Sequence, residues 1–301
     1  MGFFKSMSQT LSTEQLQTLC DKALQAAQDA GQWIEKFDRQ NLKRKFKDAG
    51  NSTTSQLVTQ VDIHSEEIIR QGLQEISEPF NIAFVGEESS LSTSKRAQER
   101  FVQPYFWCVD PLDGTVPFAE GRSGYAVSIA LVERSGEPLI GVVYDPASGV
   151  LLHAIKGQGS YRNLNLFSKV QDTSNSLMVY ADASFKIHEN YESALSTLAE
   201  CAQTLCLDGV TFVYGNGAVK NACHVFDSSH ACYLKLPIKE DGGGSIWDFA
   251  ATACIAQQAG AWVSNIYGQP LALNRPESTF MNHEGVVFAS NHEIAQCLIN
   301  I

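Results

Sequence analysis

A segment at positions 110–115, Asp-Pro-Leu-Asp-Gly-Thr, constrains this chain more than any other part of its sequence. It follows an apolar strand that we expect to stop at Asp110-Pro111, and it places a second carboxylate, Asp113, three residues further on. The proline has a fixed φ, so the turn can direct both carboxylates and the Leu112 carbonyl at one point. Such hard oxygen ligands suit Mg²⁺ rather than zinc.

The two residues after Asp113 extend this site towards an anion. Gly114 and Thr115 are predicted to start a short helix, and free backbone amides at a helix N-terminus bind phosphate oxygens. Metal ligands and a phosphate cradle would then be adjacent in the sequence. The alternative is an ordinary turn with a capping aspartate, because Asp-Gly turns are common.

Further carboxylates follow other predicted elements. Glu87 comes directly after a buried strand that ends at Gly86, where sheets place active sites. Its neighbour Glu88 is either a second ligand or a solvated charge, and we favour the solvated charge. Asp62 is predicted to be the N-cap of a helix that follows a short strand from Leu57, and an N-cap can still support a metal site from outside.

Asp248 stands in the first turn of a helix that is otherwise apolar, and either a metal ion or helix capping explains it. Histidine offers no rival site, because the seven histidines are dispersed and form no His-Glu-x-x-His pattern. The chain also contains no Gly-x-Ser-x-Gly elbow and no Walker loop.

The pattern of apolar residues predicts a mixed α/β fold with sheets flanked by helices. A capping box at Ser12 begins the first helix, residues 51–56 are predicted to form a loop, and residues 124–163 read as a three-stranded meander. We expect two lobes, at 1–165 and 175–301, separated by a polar stretch.

The charge balance limits the partners. With 22 basic and 33 acidic residues the net charge is −11, which argues against nucleic acid and against an anionic membrane surface as partners.

Eight scattered cysteines without a Cys-x-x-Cys pair indicate a reduced, cytoplasmic compartment. Residues 1–6 fit the loose myristoylation pattern, but we interpret them as a frayed terminus. The basic run at 43–47 is predicted to be a solvated face, from which one lysine could reach a phosphate.

Four ordered motifs resemble the inositol monophosphatase family, the magnesium-dependent and lithium-sensitive phosphatases that include 3′(2′),5′-bisphosphate nucleotidases and some fructose-1,6-bisphosphatases. The motifs are LVTQVD at 57–62, VGEES at 85–89, WCVDPLDGT at 107–115 with Phe118, and GSIWDFAATACIAQQAGA at 244–261.

The resemblance implies a layered αβαβα sandwich of two lobes, of the sugar-phosphatase type. It also implies two or three Mg²⁺ ions, a small-molecule phosphate substrate and a chain that can form a homodimer. The implied metal ligands are Glu87, Asp110, the Leu112 carbonyl, Asp113 and Asp248, with Asp62 in support. The implied catalytic residues are Glu87, Thr115 and Asp113, where Thr115 and Glu87 orient the attacking water, and the amides of Gly114 and Thr115 hold the phosphate.

The leaving-group side is less constrained. The turn at Gly215, Asn216 and Gly217 resembles the family's leaving-group site, and Lys220 is more like the nucleotidase branch. Asp241 lies seven residues before Asp248, where inositol phosphatases carry an acid that binds ring hydroxyls.

Two departures from the family pattern alter the surroundings of the site. Val116-Pro117 replaces the family's Asn or Lys before Phe118, and the loop at 89–104 differs in length.

Together these features predict a Mg²⁺-dependent phosphomonoesterase that uses metal-activated water. Inositol 1-phosphate is favoured because Asp241 suits a polyol. A nucleotidase acting on 3′-phosphoadenosine 5′-phosphate and a fructose-1,6-bisphosphatase are the alternatives. A two-carboxylate glycosidase is disfavoured, because acids this close need a cation between them. An inactive metal- or polyol-binding relative is the non-catalytic alternative.

Overall fold

The computed structural model describes residues 10–37, 51–90, 98–169 and 175–301. The basic run at 43–47 and the terminal residues 1–6 lie outside these ranges, as does part of the 89–104 loop. The described helices are α1 (Thr13–Lys36), α2 (Asn51–Ser77), α3 (Glu87–Ser90), α4 (Thr115–Ala119), α5 (Tyr191–Thr204), α6 (Ala218–Asp227), α7 (Ile246–Gln258) and α8 (His292–Leu298). None of them is long and apolar enough to cross a membrane.

Twelve strands in the described ranges form two sheets. The first sheet runs in sequence order and comprises β1 (Ile82–Gly86), β2 (Tyr105–Asp113), β3 (Ala126–Glu133), β4 (Pro138–Asp145), β5 (Val150–Ile155), β6 (Ser160–Arg162) and β7 (Asn165–Leu166). The second has the order β11-β12-β10-β8-β9 and comprises β8 (Leu177–Ala181), β9 (Val210–Tyr214), β10 (Ala231–Lys235), β11 (Trp262–Ser264) and β12 (Val286–Ala289). The parallel pairs are β1 with β2, and β8 with both β9 and β10.

Three apolar clusters connect these elements into five layers. One cluster packs α1 and α2 on the outer face of the first sheet, and a second fills the space between the sheets around α6 and α7. The third packs α5 and α8 on the outer face of the second sheet. The order helix, sheet, helix, sheet, helix confirms the predicted αβαβα sandwich.

Strand β2 shows why both faces of the first sheet are buried. Tyr105, Trp107 and Val109 point towards α1 and α2, whereas Phe106 and Cys108 point towards the central helices. Because side chains alternate along a strand, an uninterrupted apolar run places core residues on both sides. The C-terminal end of this strand therefore emerges between two packed helical layers.

Most predicted elements are present. The capping box at Ser12 and Gln15 is formed, the meander is β3–β5, and the strand that ends at Gly86 is β1. The assignment of 1–165 and 175–301 as lobes stays a prediction, although the first sheet ends at Leu166 and the second begins at Leu177.

The region from 51 to 62 corrects two predictions. The backbone is helical from Asn51, so residues 51–56 are not a loop and the segment from Leu57 is not a strand. Asp62 is consequently not an N-cap but lies inside α2. The physical reason is the spacing of four residues between Val61, Ser65, Ile69 and Leu73, which are all buried against the sheet.

Candidate metal and phosphate site

A bulge in β2 brings the two aspartates of the 110–115 segment to one side of the strand. Strand β2 advances three residues from Asp110 to Asp113 while its partner β3 advances two, from Ser128 to Ala126. In a regular strand, residues three apart point to opposite faces, and one extra residue removes that opposition. The predicted stop at Asp110-Pro111 was therefore wrong in form, because the strand continues through the bulge to Asp113.

Asp248 completes an acidic cluster with these two residues. One carboxylate oxygen from each of Asp110, Asp113 and Asp248 lies within 4.8 Å of the others. The Asp110 carboxyl is also within hydrogen-bonding range of Glu87 at the end of the neighbouring strand β1. Strand β2 and helix α7 thus bring three carboxylates together, and the start of α3, directly after β1, places Glu87 close enough to interact with Asp110 and Asp248.

Burial and mutual repulsion make this cluster electrostatically unfavourable as it stands. Burial, followed by the charges of Glu87, Asp113 and Asp248, raises the pKa of Asp110 well above its ordinary value. Burial and Asp248 raise the pKa of Glu87 to about 7. The same two causes raise the pKa of Asp113. Acids this close ionise together only when a cation compensates them.

Backbone amides hold two of these acids in place. Asp113 Oδ1 accepts the Ala218 amide at 3.0 Å and Oδ2 accepts the Val219 amide at 2.9 Å, so the N-terminus of α6 grips this carboxylate. Asp248 Oδ2 accepts the Ser245 amide at the start of α7. Both interpretations of Asp248, capping and metal binding, are therefore compatible with its position.

Helix α2 places Asp62 beside the same cluster. Asp62 is buried, and its Oδ1 has no hydrogen-bond partner among the residues that the structure describes. Burial, followed by the charges of Glu88 and Glu87, raises its pKa to about 8. An unpartnered buried carboxylate oxygen fits a supporting role towards a cation or its water ligands. Glu88, which was predicted to be solvated, is only partly exposed, and burial raises its pKa.

The donor set fits Mg²⁺. All candidate side chains are hard carboxylate ligands, and no described cysteine or histidine belongs to the cluster. The Leu112 amide donates to Asp110 Oδ1 at 3.0 Å, which tightens the turn, while the ligand role of the Leu112 carbonyl stays a prediction. The number of ions also stays a prediction.

The predicted phosphate cradle has the expected backbone. Gly114 has φ +83°, a left-handed conformation that glycine adopts freely, and helix α4 follows it. The first bond of this helix runs from the Phe118 amide to the Gly114 carbonyl, so the amides of Gly114 and Thr115 precede the bonded turn. Val116, the departure from the family pattern, is 63% exposed at the lip.

The turn at 215–217 lies against this cradle. The Gly217 amide donates to the Gly124 carbonyl at 2.8 Å, and Arg122 Nη1 donates to the Gly215 carbonyl at 3.0 Å. A Cβ atom on Gly217 would overlap Asp113, which explains the glycine there. Asn216 donates to Asn221 at 3.3 Å.

Two predicted substrate residues lie in other surroundings than expected. Lys220 forms an ion pair of 2.7 Å with Asp145. Asp241 is exposed and lines a polar cavity of about 730 Å³ together with Arg275 and His283. None of the described residues around that cavity belongs to the metal cluster.

Sequence reasoning missed a polar group next to the cluster. Asp182, just after β8, pairs with Lys235 at 2.8 Å and accepts hydrogen bonds from Tyr233 and Asn221. Burial raises the pKa of Asp248, and the charge of Lys235 offsets only part of this rise, which places the lysine near the metal ligands. The two partners are 53 residues apart, and no local motif connects them.

A mostly apolar cavity of about 280 Å³ adjoins this pair. Asp182 and Lys235 form part of its wall, with Phe185, Ile187 and Ile238 among the other lining residues. Ile187 is 87% exposed, an unusual position for a large aliphatic side chain.

Comparisons with known proteins agree with this architecture. The model of the inositol monophosphatase family matches residues 15–300. The 3′(2′),5′-bisphosphate nucleotidase CysQ of Escherichia coli (strain K12) is 28% identical over 271 residues, which cover 88% of this chain and 97% of that protein. Inositol monophosphatase 1 of Rattus norvegicus is 29% identical over 259 residues, covering 85% and 87%.

A solved structure shares the fold. The inositol monophosphatase from Anabaena (Nostoc) sp. PCC 7120 superposes with a TM-score of 0.66 at 23% identity, and the match covers 95% of this chain and 97% of that one.

Proposed function

Because this chain belongs to the inositol monophosphatase family and is therefore a phosphoric monoester hydrolase, we propose that the acidic cluster is its Mg²⁺ site. The observation that carries the proposal is the convergence of Asp110, Asp113 and Asp248 within 4.8 Å, in an environment that raises their pKa values. Glu87 completes the set, and Asp62 supports it from α2.

Bound Mg²⁺ supplies positive charge for the phosphate and lowers the pKa of water, which is the chemistry that a slow phosphate monoester hydrolysis needs. The chain's own groups do the rest. Glu87 and Thr115 orient the attacking water, and the amides of Gly114 and Thr115 hold a phosphate oxygen. Asp113 keeps its orientation because two α6 amides bind it.

For the leaving group we propose a nucleoside, with 3′-phosphoadenosine 5′-phosphate as the first substrate to test. The cavity beside Asp182 and Lys235 is lined largely by apolar side chains, including Phe185. Flat bases gain from such a wall, whereas a ring that carries hydroxyls on every carbon would leave them unpaired there. This cavity reverses the preference for inositol 1-phosphate drawn from Asp241.

Lys235 gives the nucleotide a charged contact. An ammonium group has three N–H donors, and Asp182 uses one of them. The remaining donors can bind an anionic oxygen of the substrate. CysQ, a similar protein, is named as a 3′(2′),5′-bisphosphate nucleotidase, which supports this class.

Inositol 1-phosphate is the second candidate. Asp241 and the polar cavity around it favour a polyol, and the similar rat protein is named an inositol monophosphatase. The two candidates differ in which side of the 236–244 loop the leaving group contacts. Lys235 would contact a nucleotide, and Asp241 would contact an inositol ring.

The deciding experiment compares kcat/KM for 3′-phosphoadenosine 5′-phosphate, inositol 1-phosphate and an aryl phosphate. We expect the nucleotide to exceed inositol 1-phosphate by about 10-fold or more. Lys235→Met should lower kcat/KM for the nucleotide about 10- to 150-fold, the scale of one hydrogen bond to a charged group, and should change the aryl phosphate little.

Lys239→Met is the matched control, because Lys239 is exposed and lines the Asp241 cavity instead. Equal effects of the two lysine variants would contradict the nucleoside assignment. Selective loss of inositol 1-phosphate hydrolysis in Asp241→Ala would favour the second candidate. Absence of phosphatase activity on all three substrates with Mg²⁺ would contradict the proposed function as a whole.

A further inference from the structure

One turn of α2 contacts both strand ends that carry metal ligands. Glu66 is 5% exposed, and its carboxylate accepts two backbone hydrogen bonds. Oε2 accepts the Glu88 amide at 2.8 Å and Oε1 accepts the Ser89 amide at 3.0 Å. Both donors belong to the short helix α3, which begins at Glu87.

The residue before Glu66 holds the other strand end. Ser65 Oγ donates to the Pro111 carbonyl at 3.0 Å, inside the bulge between Asp110 and Asp113. Neighbouring side chains of one helix therefore bind the segments after β1 and within β2. These are the segments from which Glu87 and Asp110 extend into the cluster.

The chain makes room for the Glu66 carboxylate. A Cβ atom on Gly86 would overlap its oxygens, so only glycine allows this approach at the end of β1. The carboxylate thus contacts the backbone on both sides of Glu87, at Gly86 and at Glu88. With its neighbours held, the backbone from which the Glu87 side chain extends has little freedom to move away from Asp110.

We propose that Glu66 is a positioning residue, which directs the Glu87 carboxylate towards Asp110 by binding the amides of Glu88 and Ser89. The inference rests on the Mg²⁺ site of the proposed function and adds a residue to it. Two converging N–H donors require two acceptor oxygens. A carboxylate provides both, whereas the amide of a glutamine would turn an NH₂ group towards one of the donors.

The test compares Glu66→Gln with Glu67→Gln in the full chain. Glu67 is the matched control, because it is the next residue of α2 and contacts Arg70 and Gln71 on the partly exposed side. Calorimetry measures Mg²⁺ binding to the metal-free proteins, thermal unfolding measures stability, and kinetics separate kcat from KM.

For Glu66→Gln we expect an increase of about 10-fold in the Kd for Mg²⁺, the scale of a lost hydrogen bond to a charged group. We also expect a decrease of about 10- to 30-fold in kcat with KM changed less than about 3-fold. Glu67→Gln should match the unsubstituted protein in all three.

Glu66→Asp provides a second variant if Glu66→Gln does not fold. It keeps the charge but is one methylene shorter, so it can accept a hydrogen bond of normal length from only one of the two amides. We therefore expect a Mg²⁺ affinity between that of Glu66→Gln and that of the unsubstituted protein. A lower Tm with unchanged Mg²⁺ affinity and kcat in either variant would overturn the proposal, since Glu66 would then be merely structural. Weaker Mg²⁺ binding in a protein that hydrolyses no phosphate ester would keep the proposal and contradict the proposed function.

Discussion

Two sets of buried or partly buried carboxylates in this fold differ in how their charge is compensated. Asp145 and Asp182 each bind a lysine of the same chain, Lys220 and Lys235. Burial alone would raise the pKa of Asp145, but the charge and hydrogen bond of Lys220, together with the hydrogen bonds from Ser148, lower it below its ordinary value. The acids of the metal cluster meet mainly other acids, and their pKa values are raised.

The difference separates acids with a structural role, such as Asp145, from acids that need a bound cation, such as Asp110 and Asp113. A carboxylate with its own lysine is neutralised within the fold, and removing either partner leaves an unpaired buried charge. Asp110 and Asp113 have amide donors but no lysine partner in the described ranges of the chain, so we expect an external cation to compensate them. The comparison predicts that the two sets respond oppositely to metal and to substitution.

The largest expected effect is that of metal removal. Exhaustive chelation should lower phosphatase activity by at least about 1000-fold, because the uncompensated cluster can neither bind phosphate nor activate water. Mg²⁺ should restore it, whereas Ca²⁺, which demands no octahedral geometry, should bind with little turnover. Activity assays before and after dialysis against EDTA measure this. Full activity of the chelated protein would remove the distinction between the two sets.

Charge removal at one ligand should have the next largest effect. Asp113→Asn keeps the shape of the side chain, and we expect kcat to fall by at least about 100-fold while the fold persists. Asp145→Asn is the control from the other set. It should change kcat less than about 5-fold but lower the free energy of unfolding by about 2–3 kcal/mol, because Lys220 loses its partner. The comparison fails if both substitutions impair kcat equally.

The pH dependence of stability should distinguish the sets in the metal-free protein. The folded pKa values of Glu87 and Asp62, about 7 and about 8, exceed the unfolded values near 4. Between these limits the folded state binds more protons than the unfolded state, so stability must fall as pH rises. At about 1.4 kcal/mol for each pKa unit, we expect urea unfolding to show a loss on the order of 6 kcal/mol between pH 5 and 8 from these two groups. Saturating Mg²⁺ should abolish this loss of stability. A free energy of unfolding that does not change with pH in the metal-free protein would contradict the raised pKa values of Glu87 and Asp62.

The smallest expected effect concerns Glu88. Its amide binds Glu66, but its side chain is half-exposed, so Glu88→Gln should lower kcat less than about 3-fold. Glu87→Gln, one residue earlier, should lower kcat at least about 30-fold, since it removes a charge from the cluster. Steady-state kinetics of the two variants suffice. Similar losses would mean that the neighbours were assigned in the wrong order.

Local sequence patterns were sufficient for much of the fold. Ser12 and Gln15 gave the start of α1, and the apolar run before Asp110 gave a strand that is buried on both faces. The helix at 51–62 was missed because Val58 and Val61 favour strands locally. The packing of Val61 one turn before Ser65 overrides that preference. Strands as short as β11 leave too little periodicity to detect.

The residues of the site also fall into two groups, those that local sequence patterns indicated and those that only the fold shows. Asp110 and Asp113 were found because they share one turn, and Asp248 because an acid stood in an apolar helix. Glu66 was not found, since a glutamate on a helix usually faces water, and only the fold shows that it meets the end of β1. The partners Asp182 and Lys235 likewise come from separate strand ends.

The two hydrogen bonds from α6 amides to Asp113 also determine when the site can form as the chain folds. Asp113 and Ala218 are 105 positions apart, so closing this contact requires the ordering of most of the intervening chain. Contacts of such separation form slowly compared with local helices and hairpins. The first sheet can therefore assemble before the α6 amides bind Asp113. The ion-binding geometry is complete only when the second half of the chain packs against the first. Mg²⁺ should then slow unfolding far more than it accelerates refolding, because it binds the docked arrangement and not the partly assembled chain that precedes it.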